Sequence, residues 1–224
     1  MIPLKDTIPH KYTPFVTYFL IILNVFIFFY ENSLPPYLLN KFLYVFGLVP
    51  ARYSHPDWAQ FVGLHFDNYW PFFTCMFLHG GWFHLIGNMW SLWLFGDNVE
   101  DRFGHFGFLM FYIICGLFAG FTHYFFNMNA TVPVIGASGA IAGVMGAYFL
   151  MFPYSRILTL VPIFFIPLFL EIPAVIFIGF WFLSQLFSGS FSFIAGANVT
   201  GIAWWAHVGG FVAGMILHRI FQRT

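Results

Sequence analysis

Four polar side chains that lie within strongly apolar stretches could supply a nucleophile, a base and donors for an anion. Ser138 lies in the sequence GASG, His207 lies in WWAHVGG, and His84 and Asn88 lie four residues apart in HLIGN. A histidine next to a serine hydroxyl can take its proton during attack on a carbonyl carbon and return that proton to the leaving group. This exchange works near neutral pH because the ordinary pKa of histidine is about 6.5.

Acyl transfer also needs hydrogen-bond donors for the developing oxyanion, and two of these motifs offer them. We expect Ser138 to begin a helix, where the first backbone N–H groups lack acceptors and the helix dipole favours negative charge. His84 and Asn88 form an i, i+4 pair, so both project from one helical face. The Asn88 amide can donate, and one such donor typically contributes about 2.7 to 4 kcal/mol of transition-state stabilisation. The four residues together predict an acyl-transfer site.

Each motif alone also has a purely structural interpretation. A serine between glycines often packs helices, and a histidine in an apolar helix is often a structural or ion-path residue. An HxxxN pair can join two helices through a hydrogen bond worth about 0.6 kcal/mol. The occurrence of all three motifs at one depth, on alternate apolar helices, is what favours catalysis.

The composition indicates an integral membrane protein. Of the 224 residues, 60% are apolar, 24% are aromatic and only 7% are charged, whereas a soluble domain has about 25% charged residues. The formal net charge of zero disfavours nucleic acid as a partner, because nucleic-acid binding needs a basic surface. Cys75 and Cys115 show neither CxxC nor zinc spacing, and the sequence predicts no structural metal and no organic cofactor.

Six apolar stretches approach the length of about 20 residues that a helix needs to cross the bilayer. The predicted spans are residues 12–30, 80–96, 106–126, 138–152, 173–188 and 204–221. Residues 157–172 are also apolar, but Pro162 and Pro167 interrupt them, so we expect a membrane-dipping connection there. The predicted fold is an all-α bundle of six transmembrane helices, with residues 1–224 forming one domain.

The distribution of Lys and Arg predicts the orientation of this bundle, because basic residues mark the cytoplasmic side. With both ends on one side, six basic residues collect there: Lys5, Lys11, Arg102, Arg156, Arg219 and Arg223. Only Lys41 and Arg52 fall on the other side. We therefore expect both termini in the cytoplasm, and the absence of a transit peptide suggests a bacterial cell membrane.

Small residues provide an argument for bringing Ser138 and His207 together. Spans two, four and six run in the same direction, so the four polar residues share a depth within roughly 12 Å. Small residues recur every four positions in spans four and six: Gly139, Gly143 and Ala147 in one, Ala206, Gly210 and Gly214 in the other. Such stripes permit close approach of membrane helices. If the two stripes face each other, Ser138 and His207 become neighbours.

Three segments together resemble the rhomboid family of intramembrane serine proteases: residues 77–104, 136–148 and 206–214. The resemblance covers essentially the whole chain, with six spans, a long first external loop and the motifs in the family's order. It implies that Ser138 is the nucleophile and His207 the base of a dyad without an acid. It also implies that His84 and Asn88 help to form the oxyanion hole.

The same resemblance implies partners and further roles. Family members cut transmembrane protein substrates near their outer ends, within membrane lipid, and use the fifth span and the following cap loop as a gate. His79 matches a histidine that supports loop structure. The chain departs from the family in two places. Arg52 follows Ala51 where some members have a Trp-Arg pair, and Ala142 stands where one branch stacks an aromatic ring on the base.

The residues favour an intramembrane serine endopeptidase, and two alternatives remain open. One is a proteolytically inactive rhomboid-like protein that binds membrane helices, although relatives of that kind usually lack the serine or the histidine. The other is a small transporter or proton channel, which would need acidic residues at mid-membrane, whereas the carboxylates fall near span ends or in loops. The sequence contains no HExxH motif of a zinc protease.

Overall fold

Most of the chain is helical in the computed structural model, which describes residues 1–163, 166–194 and 203–223. The elements, in chain order, are β1 (Ile2–Asp6), α1 (Phe15–Ser33), α2 (Pro36–Phe46), α3 (Ala51–Ser54), α4 (Pro56–Phe61), α5 (Pro71–Thr74), α6 (Trp82–Phe103), α7 (His105–Phe126), α8 (Ser138–Met151), β2 (Arg156–Ile163), β3 (Ile166–Pro173), α9 (Ala174–Ile194) and α10 (Trp204–Phe221). The six long helices α1 and α6 to α10 overlap the six predicted spans.

Three helices in the described part of the chain are long and apolar enough to cross a membrane by length and composition. They are α1, α7 and α9, the last over residues Ala174–Ser192. Helix α8 is apolar but has only 14 residues. Helix α6 continues through the charged cluster at 97–102 and ends at Phe103. Gly104 follows it with a φ of +69°, a conformation that favours glycine. The count of six membrane spans stays a prediction.

The expectation of an all-α fold is wrong for residues 2–6, 156–163 and 166–173, which form an antiparallel sheet in the order β1-β2-β3. β2 and β3 pair as a hairpin from Arg156 opposite Pro173 to Ile163 opposite Ile166. Pro162 lies opposite Pro167 near the tip of this hairpin. Proline cannot continue a helix, but it is tolerated where a strand begins or ends. The connection expected to dip into the membrane is therefore a β-hairpin, and β1 extends it.

The prediction that the two small-residue stripes face each other is confirmed. A Cβ atom on Gly210 would overlap the carbonyl oxygen of Gly139, and one on Gly214 would overlap that of Gly143. Every residue of α8 from Gly139 to Tyr148 is buried. Helix α8 is therefore the centre of the bundle, and its backbone touches that of α10 directly.

A carboxylate at one end of the bundle holds the first turn of α1. Glu100 accepts hydrogen bonds from the backbone N–H of Val16 at 2.9 Å and of Thr17 at 2.8 Å, and from the Thr17 hydroxyl at 2.7 Å. A side-chain acceptor at a helix start satisfies N–H groups that have no intrahelical partner. The backbone N–H of Arg223 donates to the Arg102 carbonyl at 2.9 Å, so α10 ends beside the same cluster.

Arg52 anchors the connection between α1 and α6 in a way that the sequence did not indicate. Its side chain is only 1% exposed, and its guanidinium donates to the carbonyl oxygens of Tyr44 and Val45, each at 3.2 Å. Those carbonyls belong to the last turn of α2, where cations bind favourably. Arg52 thus fixes α2 against α3 without a neighbouring tryptophan.

The contact between α8 and α10 predicts the effect of adding one methyl group. Gly214→Ala should destabilise the protein by about 1 to 3 kcal/mol, because overpacking forces the two backbones apart. Gly107→Ala is the matched control, since a Cβ atom there would meet its nearest neighbour, the Phe103 Cβ, at 3.6 Å. Thermal unfolding in detergent micelles measures both. Equal melting temperatures for the two variants would contradict the packing described.

Candidate active site

Ser138 is the first residue of α8, and the chain reaches it through a constrained glycine. Gly136 has a φ of +125°, and its N–H donates to the Cys75 carbonyl at 2.8 Å. A Cβ atom on Gly136 would lie 2.7 Å from His84 Nε2 and 3.6 Å from Asn88 Nδ2. Only glycine lets the backbone before the serine lie directly against the two side chains of α6.

His207 lies in the first turn of α10, and its ring faces the start of α8. The Ser138 hydroxyl and His207 Nε2 are 2.8 Å apart, which is hydrogen-bond distance. The facing stripes of small residues explain this position. Ser138 directly precedes Gly139 and His207 directly follows Ala206, and a Cβ atom on Gly139 would lie 3.7 Å from that of Ala206. The serine and histidine selected from the sequence are therefore brought together.

Gln185 of α9 contacts the other side of the imidazole. Its Oε1 lies 2.8 Å from His207 Nδ1. The amide oxygen can only accept, so Nδ1 carries the proton and Nε2 is free to accept from the serine hydroxyl. Gln185 is not among the site residues predicted from the sequence, although it is, like the other four, a polar residue within an apolar span.

Two tryptophans complete the surroundings of the imidazole. The Trp181 ring centroid lies 5.9 Å from that of His207 with an interplanar angle of 37°, and Trp204 packs edge-on at 6.4 Å. Ala142, at the position where one rhomboid branch has an aromatic ring, is fully buried in α8. Aromatic contact with the base therefore comes from α9 and α10 in this chain.

Asn88 is held by a neighbouring histidine. Its Nδ2 donates to His79 Nε2 at 2.9 Å, and the His79 backbone N–H donates to the Glu31 carboxylate at 3.2 Å. One hydrogen of the Asn88 amide remains available for another acceptor. His79, expected to have a structural role, thus links the end of α1 to the Asn88 side chain.

One cavity of about 530 Å³ is lined by Ser138, His207, His84 and Asn88 together. Its wall also includes Met1 and Pro3 of the β1 segment and Phe177 and Trp181 of α9. The Trp90 indole of α6 donates to the Pro3 carbonyl, which holds β1 beside α6. Among the described residues, no cluster of three or more His, Cys, Asp or Glu side chains could hold a metal ion.

These contacts place a serine hydroxyl, an imidazole and several donors around one space. The imidazole is positioned to accept the hydroxyl proton, and the first N–H groups of α8 have no intrahelical acceptor. Such an arrangement can activate a hydroxyl for attack on a carbonyl carbon and stabilise the resulting oxyanion.

Comparison with known proteins identifies the family of this arrangement. Residues 67–224 match the Rhomboid domain. RHOMBOID-like protein 1 of Arabidopsis thaliana is 39% identical over 84 residues, covering 38% of this chain and 21% of that protein. The putative rhomboid protease YdcA of Bacillus subtilis (strain 168) is 32% identical over 122 residues, covering 50% of this chain and 58% of that protein.

The rhomboid protease GluP of the same bacterium is 36% identical over 80 residues, covering 36% of this chain and 15% of that protein. The matched region therefore spans between 15% and 58% of the length of these relatives. The Rhomboid domain match, in contrast, covers residues 67–224, which is more than half of this chain. The chain therefore belongs to the rhomboid family.

Proposed function

We propose that the chain is an intramembrane serine endopeptidase, with Ser138 as nucleophile and His207 as general base. The observation that carries this proposal is the 2.8 Å separation of Ser138 Oγ and His207 Nε2. The rhomboid proteases named among its relatives, YdcA and GluP, support the same reaction class. The substrates would be transmembrane proteins that approach the cavity from the surrounding lipid.

The reaction follows from the positions of these groups. His207 Nε2 takes the Ser138 proton while Oγ bonds to the substrate carbonyl carbon, and the carbonyl electrons move onto oxygen. The first N–H groups of α8 and the Asn88 amide donate to this oxyanion, with His84 beside them. The imidazolium returns its proton to the leaving amine as the peptide C–N bond breaks. Water, deprotonated by the same imidazole, then hydrolyses the acyl-enzyme and regenerates Ser138.

Six membrane spans and cytoplasmic ends complete the proposal. The basic residues counted on the inner side belong to elements that meet at one end of the bundle. The backbone N–H groups of Lys11 and Tyr12 donate to the Asp101 carboxylate. The backbone N–H of Arg156 donates to the Thr7 hydroxyl oxygen at 3.0 Å. Ser138 lies at the opposite end of α8, so cleavage would occur near the outer face. The names of relatives include chloroplastic and mitochondrial proteins as well as bacterial ones, so the similarity does not select one type of membrane.

The alternative functions have less support from the site. An inactive rhomboid-like protein that binds membrane helices does not need a serine hydrogen-bonded to an imidazole. This chain has both the serine and the histidine, at hydrogen-bond distance. For a transporter or proton channel we expect charged or paired acidic residues at mid-membrane, yet none of the described residues that line the cavity is acidic. The intact Ser138–His207 pair therefore favours hydrolysis.

Removing the nucleophile should abolish cleavage. We expect Ser138→Ala to lower the turnover of a single-span model substrate in liposomes by at least about 10³-fold, because no other group forms the acyl-enzyme. The same variant should lose covalent labelling by a fluorophosphonate probe. Ser33→Ala, at an exposed position at the end of α1, is the matched control and should retain both. Unchanged cleavage by Ser138→Ala would disprove the assignment.

Removing the Asn88 amide should slow the chemical step more than it weakens binding. We expect Asn88→Ala to reduce kcat by about 10² to 10³-fold with little change in KM, because the lost donor acts on charge that develops only in the transition state. Asn32→Ala is the control, since the Asn32 side chain donates within α1, to the Phe28 carbonyl at 2.8 Å. A raised KM with unchanged kcat would instead assign Asn88 to substrate binding.

A further inference from the structure

Gln185 is a buried polar side chain for which the dyad chemistry alone gives no role. It lies on α9, is 5% exposed and belongs to a span that is otherwise mostly apolar. A polar side chain within such a span costs free energy unless it is hydrogen-bonded or has a function. Its Oε1 is 2.8 Å from His207 Nδ1, so its partner is the proposed base.

The orientation of the Gln185 amide is fixed by its other contacts. Its Nε2 donates to the Trp181 carbonyl at 3.2 Å and to the Ser184 hydroxyl oxygen at 2.9 Å. The Ser184 hydroxyl in turn donates to the Trp181 carbonyl at 2.6 Å, which leaves its oxygen as an acceptor. A flipped amide would place its oxygen against the Trp181 carbonyl oxygen, an acceptor facing an acceptor. The amide oxygen is therefore directed at the imidazole.

We propose that Gln185 is a positioning residue that holds His207 in the tautomer and ring orientation needed to deprotonate Ser138. This inference rests on the proposed endopeptidase function. A proton fixed on Nδ1 leaves the lone pair of Nε2 directed at the serine hydroxyl. After proton transfer, Gln185 Oε1 still accepts from Nδ1 and supports the imidazolium with a neutral dipole. Gln185 is not among the described residues that line the cavity, and it bonds to Nδ1, not to the nitrogen that faces Ser138.

The catalytic arrangement therefore depends on three helices. The nucleophile comes from α8, the base from α10 and the acceptor that orients the base from α9. Helices α8 and α10 are joined by their glycine backbones, whereas α9 contributes the ring contact of Trp181 and, through Gln185, a hydrogen bond to His207. Cleavage should consequently be sensitive to this single hydrogen bond even when the Ser138–His207 contact is intact.

Two substitutions of similar size separate positioning from simple packing. Gln185→Met keeps the length of the side chain but removes the acceptor, and we expect kcat to fall by about 10- to 100-fold as the ring loses its alignment. Gln185→Glu keeps an acceptor, and its carboxylate stabilises the imidazolium. The acid limb of the pH–rate profile should therefore move to higher pH in Gln185→Glu and to lower pH in Gln185→Met. Gln60→Met, at an exposed position of α4, is the control and should match the wild type.

Other titratable groups remain the same in all of these variants. Those that act electrostatically on His207 are His84 of α6 and His123 of α7, and neither is substituted. A purely structural role for Gln185 would lower the melting temperature of both variants and leave the acid limb in place. Shifts of the limb in opposite directions would support positioning, and an unmoved limb or unchanged kcat in both variants would overturn it.

A readout that does not need activity distinguishes failure of this inference from failure of the proposed function. Imidazole nitrogen shifts of histidine-labelled protein in micelles report the tautomer, with His207→Ala used to assign the signal. We expect His207 to be protonated on Nδ1 in the wild type and to populate both tautomers in Gln185→Met. A mixed tautomer in the wild type would overturn the positioning role. Absence of cleavage by a wild type with the Nδ1–H tautomer would overturn the endopeptidase function alone.

Discussion

The backbone contact between α8 and α10 is the constraint on which the site depends. Side chains on Gly210 or Gly214 would occupy the positions of the carbonyl oxygens of Gly139 and Gly143. Lipid is as apolar as leucine, so van der Waals packing and interhelical hydrogen bonds hold membrane helices together, and packing weakens steeply with distance. Since Ser138 precedes Gly139 and His207 lies one turn before Gly210, the register that brings the backbones together also sets the serine–imidazole distance.

The opposite end of α8 is fixed by polar contacts. The Tyr148 hydroxyl donates to the Asp6 carboxylate. Its oxygen also lies 3.0 Å from the Ser155 hydroxyl oxygen, at hydrogen-bond distance. Asn98 of α6 also donates to Asp6, at 2.9 Å. Burial raises the pKa of the Asp6 carboxyl, and the hydrogen bond from Tyr148 opposes that rise. Glycine packing near Ser138 and hydrogen bonds near Tyr148 thus hold α8 at both ends, while β1 is tied to the same cluster.

Local patterns were sufficient to predict the long helices and the four polar residues of the site, because apolar length and i, i+4 spacing are properties of short segments. The sheet was not predictable in this way, because β1 and β2 are far apart in the sequence. Pro3, for example, pairs with Thr159, and no pattern within either short segment indicates that partner. Arg52 and Gln185 were missed for a related reason. Each is identified by its partner, a carbonyl of α2 or the ring of His207, and a partner depends on tertiary structure.

A neutral amide behind His207 is consistent with the charge that an apolar bundle can hold. An ionised carboxylate costs about 2.5 to 3.5 kcal/mol at the centre of a membrane helix and less towards its ends, whereas an amide supplies the same acceptor without a charge. During attack, the imidazolium and the oxyanion form together, so a cavity with Gln185 stays neutral overall before and after proton transfer. A carboxylate at this position would instead keep a net negative charge in apolar surroundings before and after proton transfer, and burial of that charge costs free energy. The low charge content of the chain and the proposed chemistry therefore favour the same type of residue at position 185.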